Sequence, residues 1–204
     1  MSGCGAKKKA PEEAVELAPA RELTPGEKRV IAWYNLMREK RAAPEMEKLV
    51  SVNSFFNRLE FVDDIYLWGT KDYWATPREM LIKNGGDCED FATAKYFTLL
   101  NLEVPDEKMR LTYVKSLRFE QPHMVLSFYS HPTAEPLVLD SLVDEILSAA
   151  QRKDLIPVYS FNGQGLWLAR KQSSDYLRGS DKLSLWQELR QRFNREAIAA
   201  PLPE

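Results

Sequence analysis

The chain is poor in the residues that usually carry chemistry or crosslinks: 204 residues hold only two cysteines and two histidines. Cys4 and Cys88 make no disulfide framework, so the fold must rest on a packed core, and the redox compartment stays open. No apolar run approaches the ~18 residues of a membrane span. The N-terminus also lacks the apolar stretch of about 7–15 residues that a secretory signal carries. An excess of either charge is missing too. With 28 basic and 30 acidic side chains well mixed, no basic field exists for nucleic acid or an anionic membrane. What is present, 44% hydrophobic and 11% aromatic residues, suits one core of ordinary size.

Residues 1–24 are rich in Ala, Glu, Lys and Pro without aromatics, and read as a flexible tail ahead of a single domain over 25–204. Met1-Ser2-Gly3-Cys4 followed by Lys7, Lys8 and Lys9 looks like the end of a lipoprotein signal without its apolar part, which makes Cys4 a candidate lipid anchor. From Thr24, with Pro25 at N1, the spacing of Val30, Trp33, Tyr34 and Met37 predicts a helix to about Arg41. A second helix is expected from about Pro44 to Leu59. A short one, N-capped by Thr76 with Pro77 at N1, is expected to end at Gly85 and Gly86. After Pro105 the texture becomes β-rich: Leu111–Leu117, His123–Tyr129 and Leu137–Asp140 read as successive antiparallel strands. A short helix over Asp144–Lys153, a hairpin across Asn162–Gly165 and a closing helix over Ser184–Ile198 complete an α+β order.

The chain is organised around Gly85-Gly86-Asp87-Cys88-Glu89-Asp90. Asp87 is a good N-cap, with Asp90 as a loose capping-box partner, so Cys88 falls in the first turn of the apolar helix that follows. Unpaired N–H groups and the positive end of the helix dipole favour thiolate there, and the two glycines allow close backbone approach to a ligand. Cys88 is thus either a nucleophile or a small buried cysteine. A nucleophile needs a base. His131, between Ser130 and Pro132, reads as a turn residue, whereas His123 opens a strand whose core face is Met124, Leu126 and Phe128. Asp140, at the tip of an apolar strand, needs a partner and can orient the imidazole on an adjacent strand. The acids beside Cys88 oppose thiolate formation. A hard cation such as Ca²⁺ would offset them, with Asp63 and Asp64 as further ligands if their loop folds back; helix capping and solvation are the simpler account of the same acids.

Tyr73-Trp74-Ala75-Thr76-Pro77, Gly86-Asp87-Cys88-Glu89-Asp90-Phe91-Ala92, Leu111-Thr112-Tyr113-Val114-Lys115, His123-Met124-Val125-Leu126 and Leu137-Val138-Leu139-Asp140 together resemble the bacterial transglutaminase-like cysteine proteinases of the LapG type. The resemblance implies a papain-like α+β core, with a cysteine-bearing helix on an antiparallel sheet, and catalytic Cys88, His123 and Asp140. It also implies calcium dependence carried by Asp87 and Glu89, with Asp90 as a further ligand. Family members are periplasmic proteases that cut a large surface adhesin near its N-terminus after a paired-alanine site, which disperses biofilm. The periplasmic domain of an inner-membrane cyclic di-GMP receptor sequesters them. The Cys88 backbone N–H is the natural oxyanion donor, and Trp74 is the candidate second donor. Two other classes use the same residues. An acyltransferase would yield a conjugate instead of two fragments, and a silent binding module would form a complex without turnover.

Overall fold

The computed structural model describes residues 21–170, 173–178 and 184–199. Helix α1 spans Pro25–Lys40 and opens on a capping box between Thr24 and Glu27. Helix α2 spans Glu45–Phe56, three residues shorter at its C-terminal end than its apolar pattern suggests. A two-residue strand β1 (Glu60–Phe61) and a single turn α3 (Asp64–Leu67) precede α4 (Pro77–Lys83). Helix α4 has its own capping box between Thr76 and Glu79.

Helix α4 is ended by Asn84, which takes the left-handed conformation at φ 65°, and not by the glycines. Gly85 and Gly86 form β2, paired in parallel with β1. Their missing side chains serve the chain itself. A Cβ on Gly85 would lie 2.8 Å from the Glu60 carbonyl oxygen, and one on Gly86 would lie 2.5 Å from an Asp90 carboxylate oxygen. The close approach is therefore between segments of this chain, which pins the backbone immediately before Cys88.

Helix α5 (Cys88–Asn101) is the central element. Every residue from Asp90 to Leu99 is buried, so this helix has no polar face and must be wrapped on all sides. Its small Ala92, Thr93 and Ala94 permit that wrapping. Trp33 of α1 donates its indole N–H to Thr98 at 2.8 Å, and Leu49, Val52 and Phe56 of α2 join the same core. Each fully buried large apolar side chain of this kind stabilises the fold by about 1.5–3 kcal/mol.

The opposite side of α5 rests on an antiparallel sheet. Its strands are β3 (Met109–Ser116), β4 (Gln121–Phe128), β5 (Leu137–Leu139), β6 (Leu147–Ser148), β7 (Leu155–Phe161), β8 (Leu166–Arg170) and β9 (Ser173–Arg178), in the spatial order β6-β5-β4-β3-β7-β8-β9. Period-2 alternation divides it. Met124, Leu126 and Phe128 face the main core, while Val125 joins Val114 and Val138 in a second cluster. The closing helix α6 (Ser184–Ala199) buries Trp186 against Tyr96, Phe97 and Phe161.

The expected helix over Asp144–Lys153 is absent; that segment is a run of turns around β6. Ala149 N–H bonds the Pro136 carbonyl, and strand β6 pairs with β5, so tertiary pairing overrides a weak local helical pattern. Strand β9 was not foreseen from its polar sequence. Cys4 and most of the expected tail lie outside the described residues. Among the described residues, no helix is long and apolar enough to cross a membrane.

Candidate active site

Cys88 is the first residue of α5, on the wall of a cleft of about 630 Å³ that His123, Trp74, Tyr113 and Tyr159 also line. Tyr113 and Tyr159, on neighbouring strands, stack with ring centroids 5.0 Å apart and planes 9° apart, which gives the cleft a rigid aromatic wall. The Cys88 thiol donates to Glu89 at 3.0 Å. Burial first, and then the Glu89 and Asp87 carboxylates, push this thiol well above its usual range; the Met124 backbone N–H opposes them.

His123 and Asp140 are brought together by the β4–β5 pairing, as the strand order suggests. The imidazole Nε2 lies 2.7 Å from Asp140 Oδ1, and both side chains are buried, at 3% and 1% exposure. With Asp140 ionised, Nε2 carries the proton and donates, so Nδ1 is the nitrogen left to accept one. Burial raises the Asp140 carboxyl, but the His123 hydrogen bond and charge, the Leu142 N–H and Arg152 outweigh it and hold Asp140 well below the usual carboxylate range. Arg152 Nη2 donates to Asp140 Oδ2 at 2.8 Å. His131 is exposed, and its ring bonds Thr133.

The acids around Cys88 do something different from what capping rules suggest. Asp87 occupies the N-cap position of α5, yet its side chain makes no capping hydrogen bond. Asp90 does not complete a capping box either; its Oδ1 accepts the Ala75 N–H at 2.6 Å. Both carboxylates turn toward Asp64, whose Oδ2 accepts the Tyr73 N–H. Asp64, Asp87 and Asp90 each offer an oxygen within 4.8 Å of the others, and so do Asp64, Asp72 and Glu89. Asp63 belongs to neither group and is exposed.

Three of these oxygens, Asp64 Oδ1, Asp87 Oδ1 and Asp90 Oδ2, are buried with no hydrogen-bond partner among the described residues. Burial and the neighbouring carboxylates push Asp87 up to about 10; burial, against the opposing Tyr73 N–H, and nearby acids push Asp64 to about 6. Buried carboxylate oxygens facing one another without donors are a costly arrangement, and a hard cation with oxygen ligands relieves it. The donor set of aspartates and a glutamate fits such an ion. Asp72 and the folding back of Asp64 are decided by the loop over residues 64–75, for which sequence offers no fixed spacing. Trp74, foreseen as an oxyanion donor, directs its indole N–H to Asp72 at 3.1 Å.

No protein of curated function matches the chain. Among solved structures, EGTA-treated LapG of Legionella pneumophila is 47% identical, with a TM-score of 0.77 over 84% of this chain and 91% of that one. The calcium-bound form of the same protein is 46% identical, with a TM-score of 0.75 over 84% of this chain and 92% of that one. The family profile described as "Bacterial transglutaminase-like cysteine proteinase BTLCP" matches residues 33–172, which span α5, β4, β5 and the acid cluster. A helix-borne cysteine, a buried imidazole on a sheet beside it and a match over most of the domain lead to one conclusion: the chain belongs to the bacterial transglutaminase-like cysteine proteinases.

Proposed function

We propose that this cysteine peptidase is a calcium-dependent endopeptidase whose catalytic residues are Cys88, His123 and Asp140. The observation that carries the reading is the buried His123–Asp140 hydrogen bond of 2.7 Å on the cleft that holds Cys88. Asp140 keeps the Nε2–H tautomer, so His123 takes the thiol proton at Nδ1. Cys88 Sγ attacks the scissile carbonyl, and its own backbone N–H faces the developing oxyanion at the helix start. His123 then returns the proton to the leaving amine, and water, deprotonated by the same imidazole, hydrolyses the thioester.

Asp64, Asp87, Glu89 and Asp90 would hold the calcium ion, with Asp72 beside them. The three partnerless buried oxygens support this assignment, as does the existence of a calcium-bound LapG. Bound calcium supplies positive charge against the acids that disfavour a Cys88 thiolate. Asp87 and Glu89 flank the nucleophile directly, so their charge state governs its environment.

The substrate proposed is the N-terminal region of a large surface adhesin, cut at a paired-alanine site in the periplasm so that the adhesin is released and biofilm disperses. The periplasmic domain of a cyclic di-GMP receptor would control access to it. The resemblance to LapG-type proteinases supports these steps. The test is incubation of a purified adhesin fragment bearing a paired-alanine site with calcium, with EGTA, and with EGTA followed by calcium. Two fragments that require calcium and vanish in Cys88→Ala are expected. Cleavage that persists in EGTA would remove the metal assignment and keep the protease. A conjugate in place of two fragments would mean acyl transfer.

A further inference from the structure

Asp140 is gripped by more than its imidazole. Its carbonyl accepts from Lys95 Nζ and from Asn57 Nδ2, both at 2.9 Å. Its Oδ1 also accepts the Leu142 N–H at 3.0 Å. Its Oδ2 is taken by Arg152, which is 6% exposed and comes from the turn after β6. The same guanidinium donates through Nε and Nη2 to Asp154 at 3.0 and 2.9 Å, so it bridges two carboxylates. A buried cation is expensive where packing alone is needed, and an apolar side chain of that volume would fill the space at lower cost. Its placement against the carboxylate that orients His123 calls for an account in terms of that carboxylate.

We propose that Arg152 is a positioning residue for the cleavage reaction, fixing Asp140 as an ionised acceptor and limiting how strongly Asp140 holds a proton on His123. This rests on the reading of His123 as the general base. The guanidinium lies one carboxylate away from the imidazole. It repels imidazolium and takes one of the two oxygens that would otherwise stabilise it, so it favours the neutral ring that accepts the thiol proton. Asp154 behind it tempers that charge. The other charged groups facing the pair are Lys95 from α5, Asp144 held by Asn57, and Cys88 with Glu89 at the helix start.

The test follows the His123 ring proton resonances by NMR against pH in the full chain with calcium, with His131→Gln in every sample so that one histidine reports. In Arg152→Met the imidazole midpoint is expected to rise by about one pH unit, because a nearby like charge is removed. Arg152→Lys, which keeps the charge, should stay close to the unsubstituted chain. Asp154→Asn should move the midpoint the opposite way, downward, because the guanidinium loses its second counter-charge. A merely structural role predicts no such reversal. In parallel, kcat of Arg152→Met should fall about tenfold with KM unchanged, the signature of an interaction made in the transition state. Equal midpoints, shifts of the same sign in Arg152→Met and Asp154→Asn, or an unchanged kcat would overturn the proposal. If Arg152→Met fails to fold, Asp154→Asn decides alone: a downward shift supports the proposal and any other result overturns it. The titration needs no substrate, so a chain that cleaves nothing yet shows the reversal would count against the protease reading alone.

Discussion

The two walls of the cleft solve the problem of buried charge in opposite ways. On the β4–β5 side, every oxygen of the Asp140 carboxylate has a donor: His123, Leu142 and Arg152. On the α5 side, Asp64, Asp87 and Asp90 each bury an oxygen that no described residue donates to, and their neighbours are more acids. The first wall is complete in the polypeptide. The second has no such donors for those oxygens among the described residues, and the proposed calcium ion would supply the missing positive charge. Cys88 sits between them, donating to Glu89 on the unfinished side while His123 lines the other.

Removing the nucleophile between the walls, or its base, should have the largest effect. Cys88→Ala and His123→Ala are each expected to lower cleavage by about 10⁴-fold or more, and Cys88→Ala to leave the thermal unfolding temperature in calcium nearly unchanged. Substantial cleavage by purified Cys88→Ala would remove the nucleophile assignment. Breaking the finished wall comes next. Asp140→Asn should cost about 10³–10⁴ in kcat, because an amide favours the wrong imidazole tautomer and leaves the Arg152 cation short of a counter-charge.

The unfinished wall should respond to calcium in a way the finished one does not. A ligand that binds only the folded state at 100 times its Kd adds about 2.7 kcal/mol of stability. Calcium should therefore raise the unfolding temperature of the unsubstituted chain. Asp87→Asn should abolish that rise while raising the unfolding temperature in EGTA, since a neutral amide is buried there without the proton that the carboxyl must take up. Calcium stabilisation that survives Asp87→Asn, Asp64→Asn and Asp90→Asn together would place the ion elsewhere.

The same wall predicts a pH dependence. Asp64 and Asp87 have folded-state pKa values raised above their unfolded ones, to about 6 and about 10. The folded state then binds protons more tightly than the unfolded one, so stability is greatest at acid pH and falls as pH rises. In EGTA, unfolding free energy should decline from about pH 4, most steeply to about pH 6 and then more gently towards about pH 10, and calcium should flatten that slope. Asp140 acts with the opposite sign: its depressed pKa adds stability above about pH 4 that is lost below it. A chain equally stable at pH 4 and 6 in EGTA would contradict the repulsion inferred for the acid cluster.

The smallest expected effect lies at the edge of the comparison. Arg192 of α6 donates to Tyr73 at 2.8 Å and to Glu79 at 2.6 Å, and also bonds the Trp74 carbonyl. It ties the closing helix to the segment that carries Trp74 and that supplies N–H groups to Asp64 and Asp90. Arg192→Met should cost about 2 kcal/mol in urea unfolding, the scale of a charged hydrogen-bond set that is partly exposed. It should weaken apparent calcium affinity more than it alters kcat.

Much of the architecture was legible because it depends on short-range rules. The Thr-Pro starts at Thr24 and Thr76 and the β-rich runs at Leu111, His123 and Leu137 placed their helices and strands within a few residues. The Asp144–Lys153 segment misled, because a weak helical pattern lost to pairing with β5, and Arg152 was hidden inside it. Asp87 misled in a different way. A sequence rule for N-caps assigns its carboxylate to the helix, whereas the folded chain turns it toward Asp64 and Asp90.

The sequence by itself determined that Cys88 begins a helix, that His123 lies on one strand and Asp140 at the tip of another, and that acids crowd the cysteine, since each follows from local spacing or from adjacency along the chain. Only the tertiary structure decided which carboxylates converge and which oxygens stay unpaired. It also decided that Arg152 reaches Asp140. Those outcomes depend on loops over residues 64–75 and 140–154, whose paths are set by hydrogen bonds to Asp90, Lys95 and Asn57 from outside each loop. No residue spacing encodes such contacts, because their partners meet only after the helices have closed on the sheet.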